Sequence, residues 1–186
     1  EGVQTRYENP SEVLDEISQA TPDKATELLQ KLYLEPIKEK LIPKRIHEIK
    51  KAGVPAVVSS IPQRAEKFGK IAEEAGADIF VVQSTVSTVK HLSKAYKVVD
   101  FHKFCKAVKM PVIIGNCVTQ KVMLQLAETG PAGLLVGIGP GSACTSRGVL
   151  GLGAPLFRRH LLGPGLAAAP PSFYDGLTRW EGDRES

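Results

Sequence analysis

Residues 137–147 read Gly-Ile-Gly-Pro-Gly-Ser-Ala-Cys-Thr-Ser-Arg, a run of glycines and hydroxyls around one thiol, Cys144. Glycines at this density allow turns of positive φ and let successive N–H groups approach an anion closely. Ser142 adds a hydroxyl donor, so a phosphate is the natural guest of such a loop. A thiol in an electropositive turn is biased toward thiolate, the nucleophilic form. The segment therefore reads as a nucleophile beside a phosphate cradle; a buried structural cysteine is the competing interpretation these residues leave open. The other thiols carry less. Cys105 falls on the apolar face of a helical stretch, and Cys117 stands where a helix is expected to open, so packing is expected of both. No CxxC spacing occurs and the four histidines are scattered, which gives zinc no support.

The elements that would hold this loop can be followed along the chain. Asn9-Pro10 and Thr21-Pro22 are helix starts, with the asparagine amide as the expected cap and proline at the first helical position. Val13, Leu14 and Ile17, then Leu28, Leu29 and Leu32, recur at helical spacing. Ile37 and Leu41 continue the pattern, Pro43 is expected to interrupt it, and Ile46 and Ile49 carry a further helix to Gly53. Four short apolar runs follow, at Val54–Val58, Asp78–Val82, Pro111–Ile114 and Ala132–Ile138. Helical stretches separate them at Pro62–Ala75, Asp100–Val108 and Thr119–Glu128. Runs that are apolar throughout read as strands buried on both faces, and their alternation with helices predicts an α/β fold with a parallel sheet. An open doubly wound sheet and a closed barrel both fit. Small or polar residues follow every run: Ser59-Ser60, Gln83-Ser84-Thr85, Gly115-Asn116 and Gly139 onward. Several equipped strand ends favour a (β/α)8 barrel, where chemistry sits at the carboxyl ends, although a whole barrel needs about 250 residues.

Composition narrows the class. The 186 residues are 42% hydrophobic and 24% charged, ordinary for a globular protein, with a net charge of +4. Basic pairs such as Lys50-Lys51 alternate with glutamates and few aromatics lie among them, so nucleic-acid binding is not expected. No membrane-spanning run and no signal peptide is read, and an odd count of unpatterned cysteines suggests reduced thiols in the cytoplasm. Residues 1–153 are expected to form one domain. Residues 154–186, rich in Pro, Gly, Ala and Arg, show no strand or helix period and are expected to be a poorly ordered tail.

The Cys144 loop resembles the active-site loop of IMP dehydrogenases and GMP reductases, whose pattern is close to G-x-G-P-G-S-x-C-T-T-R. Gly115-Asn116-Cys117-Val118-Thr119 is similar to that family's G-N-V-x-T strand end, and Gly151-Leu152-Gly153-Ala154-Pro155 to its G-x-G-x-P. Gly2–Pro10 and Ala75–Lys90 resemble a bacterial IMP dehydrogenase-related subfamily that lacks the CBS regulatory insert. The resemblance covers about residues 1–155. It implies a partial (β/α)8 TIM barrel, about strands three to six with preceding helices, and a homotetramer when whole.

The resemblance also implies roles. Cys144, with Ser146 beside it, would be catalytic, the sulfur attacking C2 of the purine of IMP or GMP. Ser142, Gly141 and Asn116 would bind the nucleotide. Gln83, Ser84, Gly137, Ile138 and Gly139 would face an NAD or NADP cofactor. Backbone carbonyls of Gly139, Gly141 and Cys144 would hold a potassium ion. Thiolate addition makes C2 tetrahedral. In an IMP dehydrogenase, hydride then leaves to NAD and water releases XMP from the thioimidate. In a GMP reductase the thiolate displaces ammonia and NADPH returns a hydride, giving IMP. The motif is common to both reactions; the expectation is the IMP dehydrogenase type, with GMP reductase as the alternative. A non-catalytic purine-nucleotide binding protein is the remaining alternative.

Three departures stand out. Gln83 occupies a position where IMP dehydrogenases usually carry an aspartate, which puts the cofactor mode in question. Ser146 replaces a threonine and keeps the hydroxyl. Lys90 and His91 read as surface residues. The family's Asp-Gly-Gly phosphate loop, Gly-Ser loop and Arg-containing flap are not found, and the tail beyond Pro155 does not resemble the family. The expectation is a piece of such an enzyme, with a tail read in a shifted frame and no turnover on its own.

Overall fold

The computed structural model describes residues 1–90, 93, 98–139, 144–151 and 153. His91, residues 140–143 and the tail 154–186 lie outside the described residues, and with them the expectations for Gly141, Ser142 and the tail.

The chain opens with a single 3-10 turn at Val3–Thr5, then α1 (Pro10–Gln19), α2 (Pro22–Tyr33) and α3 (Leu41–Lys51). Asn9 and Thr21 precede the first two helices as expected, but neither side chain makes a capping hydrogen bond; the prolines at the first helical position mark the starts. Pro43 does not interrupt a helix. It lies in the first turn of α3, where a backbone N–H has no intrahelical acceptor to lose. Val3, Val13 and Leu32 form a small core of their own, flanked by Tyr7, Ile17 and Leu28.

Strands and helices then alternate: β1 (Val57–Ser60), α4 (Pro62–Glu74), β2 (Ile79–Gln83), α5 (Phe101–Ala107), β3 (Val112–Cys117), α6 (Gln120–Ala127), β4 (Gly133–Val136) and α7 (Ser146–Leu150). Asp100 and Thr119 cap α5 and α6 with side-chain oxygens that accept from Lys103 N–H and Val122 N–H. The four strands are parallel and lie in chain order, β1-β2-β3-β4.

Ala56, Phe80, Val82, Val112 and Ile114 meet Phe68, Ala72, Phe104, Met123 and Leu126 of the helices in the main core. Each fully buried large side chain contributes about 1.5–3 kcal/mol. The alternate residues belong to the other face. Val57 is 49% exposed, and Ile79, Val81, Ile113 and Leu135 are half-buried. A doubly wound sheet reverses its strand order and carries helices on both faces. Sequential order with the helix core on one face is the arrangement of a (β/α)8 barrel, of which these strands form part. Among the described residues no helix is long and apolar enough to cross a membrane.

Two strand boundaries depart by three residues from the sequence reading, and the second matters for the site. β1 begins at Val57 rather than Val54. β3 continues past Ile114 through Gly115 and Asn116 and ends at Cys117, so Cys117 closes a strand and does not open a helix.

Candidate functional site

The carboxyl ends of β2, β3 and β4 meet in one hydrogen-bond array. At its centre is Asn116, half-buried near the end of β3. Its Nδ2 donates to the Gly137 carbonyl at 2.9 Å, and its Oδ1 accepts from Gln83 Nε2 at 3.4 Å. Gly137 N–H donates to the Cys117 carbonyl at 2.8 Å, so the first glycine of the Cys144 segment is held from both sides by β3. The Gly115–Asn116 peptide is cis.

The segment after β2 folds back over β3. Ser84 N–H donates to the Gly115 carbonyl at 3.0 Å, and Asn116 N–H to the Ser84 carbonyl at 3.1 Å. Ser87 donates twice, from its backbone to the Asn116 carbonyl at 2.7 Å and from Oγ to the Gly115 carbonyl at 2.6 Å. Ser84 Oγ donates to the Val86 carbonyl at 2.6 Å.

Local sequence explains the close fit. A Cβ at Gly115 would lie 2.4 Å from Leu135 Cβ and 2.6 Å from the Leu135 carbonyl oxygen, closer than such atoms ever come, so only glycine lets β4 approach. Pairing of β3 with β4 is irregular at this point, between Gly115 and Cys117. Gly137 and Gly139 have φ of +102° and +63°, and such left-handed backbone turns the chain sharply as it leaves β4.

Cys144 is half-buried and stands just ahead of α7, with Ser146 as the first residue of that helix. The structure thus brings Gln83, Ser84, Asn116 and Gly137 into one array. Gly137, Ile138 and Gly139 are buried within the protein, while Gln83 is exposed at the rim. Cys117 has a different character from Cys144. It is fully buried, its thiol donates to the Leu135 carbonyl at 3.4 Å, and burial pushes the thiol up to about 11. Cys105 is also raised by burial. Among the described residues no group of three or more His, Cys, Asp or Glu could hold a metal.

Sequence reasoning missed Ser87 and the packing demand on Gly115. The polar run Gln83 to Thr88 held a signal for the first; the second depends on which strand lies alongside, which no local pattern records. A separate cavity of about 250 Å3 opens beside β1, lined by Ile42, Ile46, Val57, Phe68 and Phe80 among others. Its lining contains no thiol and none of the array residues.

Residues 24–159 match the profile of the IMP dehydrogenase / GMP reductase domain. An uncharacterized oxidoreductase of Mycolicibacterium smegmatis is 31% identical over 136 residues, 73% of this chain and 36% of that protein. The inosine-5'-monophosphate dehydrogenase of Cryptosporidium parvum is 34% identical over 116 residues, 61% of this chain and 28% of that protein. The crystal structure of an IMP dehydrogenase/GMP reductase-like protein from Corynebacterium glutamicum superposes with a TM-score of 0.72 at 26% identity, covering 83% of this chain and 40% of that one. The chain therefore spans well under half the length of these relatives.

Proposed function

The chain belongs to the IMP dehydrogenase / GMP reductase domain family, and from that premise we propose that it carries the nucleophile-bearing part of a purine-nucleotide oxidoreductase of IMP dehydrogenase type. The observation that carries the reading is the array Gln83–Asn116–Gly137, which fixes the root of the segment leading to a half-buried Cys144. An oxidoreductase of this family needs a thiol held in register with a nucleotide, and three strand ends joined by hydrogen bonds supply the rigid base.

In this reading the Cys144 sulfur adds to C2 of the purine, forming a C–S bond that is broken again when product leaves. Ser146, two residues beyond the thiol and first in α7, offers a hydroxyl to the same chemistry. Ser142 and neighbouring amides hold the 5′-phosphate. Asn116 lies in the floor. A nicotinamide cofactor, when bound, takes up or gives back the hydride. The residues present fit such a group: Gln83 is exposed at the end of β2 and Ser84 follows it, amide and hydroxyl groups suited to a ribose and a carboxamide. A potassium ion would be held by carbonyls of Gly139, Gly141 and Cys144. The positive φ at Gly139 fits a turn that presents backbone oxygens to a monovalent cation.

Turnover is proposed for the whole protein, and nucleotide capture at Cys144 for this chain. Peptide-resolved alkylation by iodoacetamide tests the capture. IMP or GMP should slow labelling of Cys144 and leave Cys105 unaffected, whereas equal labelling with and without either nucleotide would overturn the reading. For the whole protein, absorbance at 340 nm should rise with IMP and NAD; a fall with GMP and NADPH would assign the reductase direction instead.

A further inference from the structure

One hydroxyl that the proposed chemistry does not use is buried in the strand-end array. Ser87 is 3% exposed, beyond the end of β2. A buried hydroxyl is costly unless it is hydrogen-bonded; Ser87 Oγ donates across the sheet to the Gly115 carbonyl of β3 at 2.6 Å and also lies 3.1 Å from Ser84 Oγ within its own turn. Its backbone N–H takes the next carbonyl, that of Asn116, at 2.7 Å. One residue therefore pins two consecutive carbonyls of β3. Asn116, restrained in this way, sends Nδ2 to the Gly137 carbonyl at 2.9 Å. Within the turn 84–87 the Ser84 hydroxyl donates to the Val86 carbonyl at 2.6 Å, so the turn has a closing bond besides the Ser84–Ser87 hydroxyl contact, while the bond from Ser87 to Gly115 is the one that reaches β3.

We propose that Ser87 is a positioning residue for the candidate site: it acts through Asn116 on Gly137, and so sets the root of the segment that presents Cys144. The contacts run from Ser87 to Gly115 and Asn116 and from the Asn116 side chain to Gly137, which precedes Cys144 by seven residues in the sequence. Networks of satisfied buried hydrogen bonds hold one arrangement among several that the backbone could take. The inference rests on the preceding reading only in taking Cys144 as the reacting group.

The test uses the full chain with Ser87→Ala and Ser87→Thr in parallel. The readout is the rate of Cys144 alkylation by iodoacetamide across a range of pH, followed peptide by peptide, with Cys105 labelling and the thermal midpoint as references. Ser87→Ala should change the Cys144 rate by about threefold to tenfold, the population change that loss of one hydrogen bond allows, and displace its pH profile. Ser87→Thr, which keeps the hydroxyl, should restore both. An unchanged Cys144 profile in Ser87→Ala would overturn the proposal. So would Cys105 and Cys144 rates rising together, which is general loosening, or failure of the threonine to restore the profile. Should Ser87→Ala not fold, Asn116→Asp removes the Nδ2 donor further along the same path; it must displace the Cys144 profile in the same direction, and an unchanged profile there also overturns the proposal. No nucleotide enters these measurements. Loss of nucleotide protection with the Ser87 coupling intact would strike the substrate reading alone.

Discussion

Gly115 and its neighbours show what a single residue decides at this site. Cys144 could be nominated from the sequence because it sits in a motif whose residue types are individually interpretable. The demand on Gly115 could not be read there, since it arises from Leu135 of the adjacent strand, whose backbone carbonyl would lie 2.6 Å from an added Cβ. Backbone held in a β ladder, as Leu135 is by β3, cannot yield as a flexible side chain would. Gly115→Ala should therefore destabilise the chain by about 1–3 kcal/mol or more, the usual cost of overpacking. Chemical denaturation measures the loss; a midpoint equal to the parent's would mean that β4 stands further from β3 than described. The same substitution should loosen the Asn116–Gly137 contact, because the strain falls on the residue next to Asn116. Ser87 was only hinted at by the polar run Gln83 to Thr88, for a related reason: a serine beyond a strand reads as loop until the strand it reaches across to is known.

At the scale of elements, the apolar runs located every strand of the sheet but not its ends. β1 starts later than its run, where Val54 is exposed before the sheet begins, and β3 outlasts its run, because Gly115 and Cys117 both pair with β4 around the irregularity at Asn116, although glycine is a poor strand former. Three elements are tied together at the end of the sheet opposite the candidate site. Asp78, just before β2, accepts from Ala56 N–H at 2.7 Å and from Lys50 of α3 at 2.9 Å. Lys50 also donates to the Gly76 carbonyl at 2.9 Å. The Lys50 ammonium first, and the Ala56 N–H with it, hold the Asp78 carboxyl below its ordinary value. A carboxyl depressed in the folded state stabilises the fold above its unfolded pKa, and that contribution is lost as pH falls through the ordinary carboxylate range to the depressed value. Asp78→Asn should lower stability at neutral pH and flatten its decline on the acid side. Urea midpoints collected across acidic pH would show it, and parallel curves for the two proteins would mean that Asp78 contributes nothing to the pH dependence.

For the molecule as a whole, the parallel sheet was implicit in the alternation of runs, whereas the sequential order and the one-sided helix layer were favoured only by the equipped strand ends and the family resemblance. The state of the second sheet face was implicit in none of these. In a (β/α)8 barrel that face is the interior, filled in layers by side chains from alternate strands. Here Val57 is 49% exposed, and Ile79, Val81, Ile113 and Leu135 are half-buried on the same face. Such a face, bordered by β1 as an outer strand of the sheet, combines apolar surface with a strand edge, the two ingredients of edge-to-edge association. The isolated chain should therefore bind a hydrophobic dye and associate in a concentration-dependent manner. Val57→Lys places a charge on β1 at its most exposed apolar position without disturbing the helix core on the other face, and should weaken association while leaving the cooperative unfolding of that core intact. Sedimentation across a concentration series distinguishes the outcomes: a parent chain that stays monomeric at every concentration and binds no dye would show that this face is covered, and a lysine variant that associates as strongly as the parent would move the contact away from β1.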